Sequence, residues 1–164
     1  MDTPADSDKT TEAEQIIEQY MLASAGTGMV PLPLLDTAAL TGVQLRMLQR
    51  LSALYRVEFT VPVAKTLLST LATTTFRLTI GRSLFSFSKF IPGFGQSVGT
   101  MGTAFLGMAS TYATGKVFSK HFEQGGTLQN FNVKTMTLYY QQQLEKGKAI
   151  ASQHLKNLSN ALPN

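Results

Sequence analysis

F-I-P-G-F-G-Q-S-V-G-T-M-G-T-A-F-L-G-M-A-S-T-Y-A-T-G, residues 90–115, contains no charged side chain, and small residues recur in it at every fourth position. Gly95, Gly99, Thr103, Gly107, Thr111 and Gly115 fall in one register, with Gly102 beside them. Residues four apart share a face of an α-helix, so this spacing stacks the small side chains in one slowly winding row. Another helix can come close along such a row, because little side chain stands between the two backbones. The stretch predicts a helix packed tightly against its neighbours, in a bilayer or in a dense core. It points to a structural or interaction role.

The flanking sequence reads as helix throughout, and no set of strands emerges. Residues 1–10 are polar and read as a disordered acidic tail. A helix is expected from about Thr11 to Ala25, with Ile16, Ile17, Tyr20 and Met21 as its apolar stripe. Two prolines in M-V-P-L-P-L-L-D, residues 29–36, favour an extended connection there. Asp36 is suited to cap a second helix from about Thr37 to Arg56, with Leu40, Val43, Met47, Leu51 and Leu54 along one face. Thr60 is the expected cap of a third helix, with Pro62 near its start. The β-branched run Thr73-Thr74-Thr75 marks a bend, and a fourth helix is expected to continue to about Phe90. I-P-G-F-G, residues 91–95, breaks the chain before the small-residue helix, which should end near Phe122. Gly125-Gly126 is a helix stop, and Asn132 caps a last helix to about Leu158. The expected fold is all-α: a compact domain of about five to six helices over residues 11–160, around a glycine-rich, closely packed central helix.

The charge is uneven. The first 18 residues carry a net −5 and the remainder +9, for a total of +4. A basic body suggests an anionic partner, either lipid headgroups or an acidic protein face. The other reading is an ordinary solvated surface. Arg46 and Arg50 share a helix face and Arg56 follows off that line, so these three are candidate contacts for lipid or a partner. Nucleic acid is not expected, because basic residues are spread thinly with no aromatic interleaving. There is no cysteine, which excludes disulfides and thiol chemistry. His121 and His154 have no metal-ligand spacing, and no metal or cofactor is expected. The acidic N-terminus does not read as a signal peptide.

The chain also contains G-Q-S-V-G at residues 95–99, a formal match to G-x-S-x-G. Glu123 or Glu145 and then His154 would even complete a triad in chain order. A nucleophile elbow needs a strand before it and a sheet around it, however, and I-P-G-F stands where the strand should be. No phosphate-binding loop is present, since Gly115-Lys116 lacks its upstream glycine and its following Ser or Thr. The chain is therefore read as a non-enzyme.

Residues 90–115 are long enough to span a bilayer, for which about 20 apolar residues suffice. Their hairpin partner, residues 66–90, carries Arg77 and Arg82, each costing a few kcal/mol near mid-bilayer. Peripheral and integral association both remain open at this level. The turns at residues 31–33 and 91–95 are either tight interhelical connections or interfacial tips. The second reading puts Met29, Leu32, Phe90, Ile91 and Phe94 at the lipid interface.

Five landmarks occur in order: A-G-T-G-M-V-P-L-P-L-L-D-T-A-A-L-T-G-V-Q-L-R-M-L at 25–48, Y-R-V-E-F at 55–59, K-F-I-P-G-F-G at 89–95, A-S-T-Y-A-T-G-K-V-F at 109–118 and H-F-E-Q-G-G-T at 121–127. Over residues 12–148 the chain resembles the YcjF-type domain of unknown function, which bacteria fuse to Era-like GTPases or encode beside them. The resemblance implies an all-α, often membrane-associated domain at the bacterial inner membrane, on its cytoplasmic side. It implies an accessory role to a GTPase or to an envelope-stress system. The sequence reads as lacking both the GTPase and the N-terminal spans that some relatives carry, a departure that weighs against a GTPase partnership. The alternative expectation is a soluble helical adaptor or homo-oligomer that binds a GTPase or other protein without lipid.

Overall fold

The computed structural model describes residues 4–26, 33–80 and 98–161. They form five α-helices: α1 (Pro4–Ala25), α2 (Pro33–Tyr55), α3 (Val61–Ile80), α4 (Val98–Glu123) and α5 (Val133–Ala161). No strand occurs among the described residues, and the domain is all-α. Most of the uncharged run lies in α4, and α4 is the axis of the molecule. It packs on α5, α1 and α2 at once. From Ala104 to Ser119 every residue except Leu106 is buried or half-buried. A helix apolar all round needs neighbours on every side, and here it has them.

The other helices bury one stripe each. α1 contributes Ala13, Ile16, Ile17 and Met21, spaced as one helical face. α2 contributes Met47, Leu48 and Leu51, and α3 Ala64, Leu68 and Leu71. These meet Val117, Phe118 and Phe122 of α4 in the main core, where Phe118 stacks on Phe131 with ring centroids 4.3 Å apart. A smaller core joins Met21, Phe105, Met108 and Ala151.

Helix ends follow local chemistry. At the end of α2, Arg56 N donates to Ala53 O and Val57 N to Ser52 O. At the end of α4, Gly125 N donates to Phe122 O and Gly126 N to His121 O. Both are Schellman closures, which place the residue after the cap in the left-handed region. Gly125 adopts φ 78° there, and Arg56 adopts φ 57° without glycine's freedom. Asn132 Oδ1 accepts from Lys134 N and Thr135 N, capping α5 as its sequence predicts.

Four expectations change. α1 starts at Pro4, not Thr11, because proline suits a first turn. α2 starts at Pro33, which puts Asp36 inside the first turn instead of at the cap. α3 runs unbroken through Thr73–Thr75 to Ile80. Thr66, Thr70 and Thr73 hydroxyls bond back to carbonyls four residues earlier, Thr73 Oγ1 to Ser69 O at 2.7 Å, and the helix continues without a bend. Thr60 does precede α3, and its carbonyl accepts from Ala64 N, but its hydroxyl is buried without a partner and caps nothing. The expected helix over residues 81–90 and both proline turns, at residues 31–32 and 91–95, lie outside the described residues.

Candidate functional site

The small-residue row of α4 faces α1. A Cβ placed on Gly115 would stand 2.6 Å from Ile17 Cγ1, inside contact distance. Gly107 is looser, at 3.4 Å from Ser24 O and 3.6 Å from Leu40 Cδ1. Thr111 lies between them, fully buried. Gly99 and Thr103 belong to the N-terminal turns of α4, while Gly95 is outside the described residues. Gly102 meets nothing within 4 Å. The closest backbone approach lies on the opposite side of α4. A Cβ on Gly147 of α5 would stand 2.7 Å from Ala109 O and 3.1 Å from Ala109 Cα. Sequence reasoning passed over Gly147, which sits between two lysines on a wet-looking helix. The available signal was its cost, since glycine inside a helix loses about 1 kcal/mol against alanine and needs a packing reason.

These contacts fix directions. Ile17 meets Gly115 and Ser24 meets Gly107, so α1 is antiparallel to α4. Leu40 lies by Gly107, Gln44 Nε2 donates to Ser110 Oγ and Thr111 Oγ1, and Tyr55 reaches Ser119, so α2 is parallel to α4. Gly147 on Ala109 and Tyr140 on Thr114 make α5 antiparallel to it. One end of the molecule therefore gathers the C-termini of α1 and α5 and the N-termini of α2 and α4.

That end is nearly uncharged. In the sequence, Asp36 is the lone charge between Glu18 and Arg46, and residues 90–115 carry none. The fold lays the described parts of these two runs side by side at one pole. α5 adds Lys148, which pairs with Glu145 at 2.6 Å, and Lys156. Leu106 and Leu158 stand 43% and 56% exposed there, while Val61 and Leu138 are exposed elsewhere on the surface. Among the described residues no helix is long and apolar enough to cross a membrane. Phe90, Ile91 and Phe94, with Met29 and Leu32, lie outside the described residues.

The opposite half holds more of the ionisable groups of the described residues. Glu14 of α1 pairs with Lys116 of α4. Burial acts to lower the Lys116 pKa, but the hydrogen bond and charge of Glu14 outweigh it and hold the pKa above the ordinary lysine value. Lys120 Nζ sits 5.3 Å from the Tyr139 ring centre. Tyr55 donates to Glu123 Oε1 at 3.0 Å and lies 3.0 Å from Ser119 Oγ, with burial pushing its phenol up to about 12. Tyr140 is raised by burial to about 12 against a hydrogen bond from Thr114. His121 Nε2 bridges Thr127 O and Asn130 Oδ1, folding the 124–132 connection over the end of α4.

The three candidate arginines do not form one patch. Arg46 and Arg50 are exposed on successive turns of α2, and Arg50 Nη1 donates to Gln19 Oε1 at 3.2 Å. Arg56 lies beyond the helix, at the end opposite the uncharged pole. The formal triad falls partly outside the described residues. Ser97 is outside the described residues. Glu123 lies at the far end of α4, roughly 38 Å along the helix from Val98 at 1.5 Å per residue. No group of three or more His, Cys, Asp or Glu among the described residues is placed to hold a metal ion.

The fold defines an all-α domain built on a glycine-bearing central helix. The chain belongs to the family described as domain of unknown function DUF697, whose model matches residues 2–149. It is similar to magnetosome membrane protein 22 of Magnetospirillum gryphiswaldense, with 38% identity over 151 residues, covering 92% of this chain and 77% of that protein. No solved structure matches it.

Proposed function

We propose that the chain is a non-enzymatic helical interaction module that docks on an anionic membrane surface through its uncharged pole, at the bacterial inner membrane. The observation that carries this reading is the segregation of charge along the helices: two charge-poor runs distant in sequence, the first with Asp36 as its lone charge, share one end of the fold, where Leu106 and Leu158 are exposed. Burying partly exposed leucines in an interface contributes about 1 kcal/mol each. A basic residue near an anionic leaflet adds about 1 kcal/mol. The name of the similar protein, a magnetosome membrane protein, supports the same direction.

The YcjF-type resemblance supports a finer version, in which the docked domain serves a GTPase on the cytoplasmic side. Flotation with vesicles of mixed anionic and zwitterionic lipid tests the docking. The full chain should float with them, and Leu106→Gln with Leu158→Gln should together weaken binding roughly tenfold or more. A chain that stays with the soluble fraction at low salt would leave the lipid-free adaptor instead. Chemical cross-linking in cells, read for a GTPase among the adducts, tests the finer version.

A further inference from the structure

α1 and α2 lie side by side and antiparallel, and their outward rows face solvent. On α1 the row is Asp8, Glu12, Gln15, Gln19 and Leu22, spaced as one helical face. On α2 it passes through Gly42, Arg46 and Arg50. Asp8, Glu12 and Arg50 line one cleft of about 320 Å³ between the helices. Opposite charges share this cleft, yet no ion pair joins them. Arg50 turns instead to the neutral Gln19 and lies 6.0 Å from the Tyr20 ring centre.

We propose that this face pairs with a second copy of the chain, about a two-fold axis parallel to the helices. Such an axis sets α1 of each copy against α2 of the other. The face is then complementary to itself, because contact i to j is repeated as j to i. Glu12 meets the partner's Arg50, and Arg50 meets the partner's Glu12. The levels agree. Ser24 and Leu40 both flank Gly107, and two residues below them stand Leu22 and Gly42. Leu22 is 43% exposed, and Gly42 has nothing within 4 Å of where a Cβ would be, so the leucine of one copy has room over the glycine of the other. The axis keeps both uncharged poles pointing the same way, although the pairing stands without the membrane reading.

Sedimentation velocity of the full chain across concentration, at low and high salt, tests the pairing in solution. The chain should show a concentration-dependent dimer that weakens with salt. Glu12→Arg and Arg50→Glu, each alone, should raise the dimer dissociation constant by about tenfold or more, because like charges then oppose one another. An equimolar mixture of the two variants should recover the dimer, since every contact regains one acid and one base. Both positions are exposed, and unchanged circular dichroism shows that each variant folds. Three results overturn the proposal: a wild-type chain that is monomeric throughout, single variants as dimeric as wild type, or a mixture as weak as its components.

Discussion

Four glycines on α4 and α5 meet different surroundings, and alanine at each should read them out. Gly102 faces open space, so Gly102→Ala should stabilise by about 0.5–1 kcal/mol through the lower entropy cost of alanine in a helix. At Gly107 the added methyl meets ordinary contacts, so alanine should be neutral to mildly stabilising there. At Gly115 it overlaps Ile17, and at Gly147 it overlaps the Ala109 backbone, which cannot rotate away. Gly147→Ala should therefore cost most, about 1–3 kcal/mol in urea denaturation, with Gly115→Ala next. Equal effects at Gly102 and Gly147 would refute this ordering. Tyr55 and Tyr140 give a second prediction. Their folded pKa lies above the unfolded value, so the folded state holds more protons between pH 10 and about 12. Stability from these groups is complete below pH 10 and falls as pH rises through that window, by at most about 1.4 kcal/mol per pH unit for the buried Tyr140 and by less for the partly exposed Tyr55, where solvent screens the effect. Tyr140→Phe should make the alkaline decline shallower, measured by denaturation at a series of pH values.

At the scale of the element, the two Schellman closures differ by one residue type. Gly125 enters the left-handed region freely, while Arg56 carries a Cβ into it at a cost of about 1–2 kcal/mol. Arg56→Gly should raise the thermal midpoint and Gly125→Ala should lower it, both on the order of 1 kcal/mol. The same local chemistry decides what could be read from the sequence. The all-helical class, the stop at Gly125 and the Asn132 cap were legible, because each depends on residues within one turn. The starts of α1 and α2 were misjudged because proline disfavours a helix interior yet fits its first turn, and the spacing of Pro4 or Pro33 alone does not tell the two apart. The threonine run at 73–75 signalled weak propensity, which burial and back-bonding overrode. At Gly147 only the helix cost of glycine was legible, because its meaning lies in Ala109, and the charge-poor pole was not legible, because it exists only once two distant runs are laid together.

Across the whole molecule, one end is poor in charged side chains and the other richer in them. If the pole docks as proposed, raised salt should release part of the native protein from membranes and leave a pool held by leucine contacts, measured by fractionating cells at graded ionic strength. Complete release by salt alone would remove the apolar contribution. The long-range seam between α1 and α4 bears on synthesis. Glu14 and Lys116 are 102 residues apart in the chain, and Ile17 waits for Gly115 over nearly the same interval. At bacterial elongation rates α1 leaves the ribosome roughly 5–20 s before α4 exists to cover it. During that delay Ile16, Ile17 and Met21 are available to trigger factor-like holdases or to a neighbouring nascent chain. A message whose translation slows between α2 and α4 should lengthen the exposure and lower the yield of folded protein.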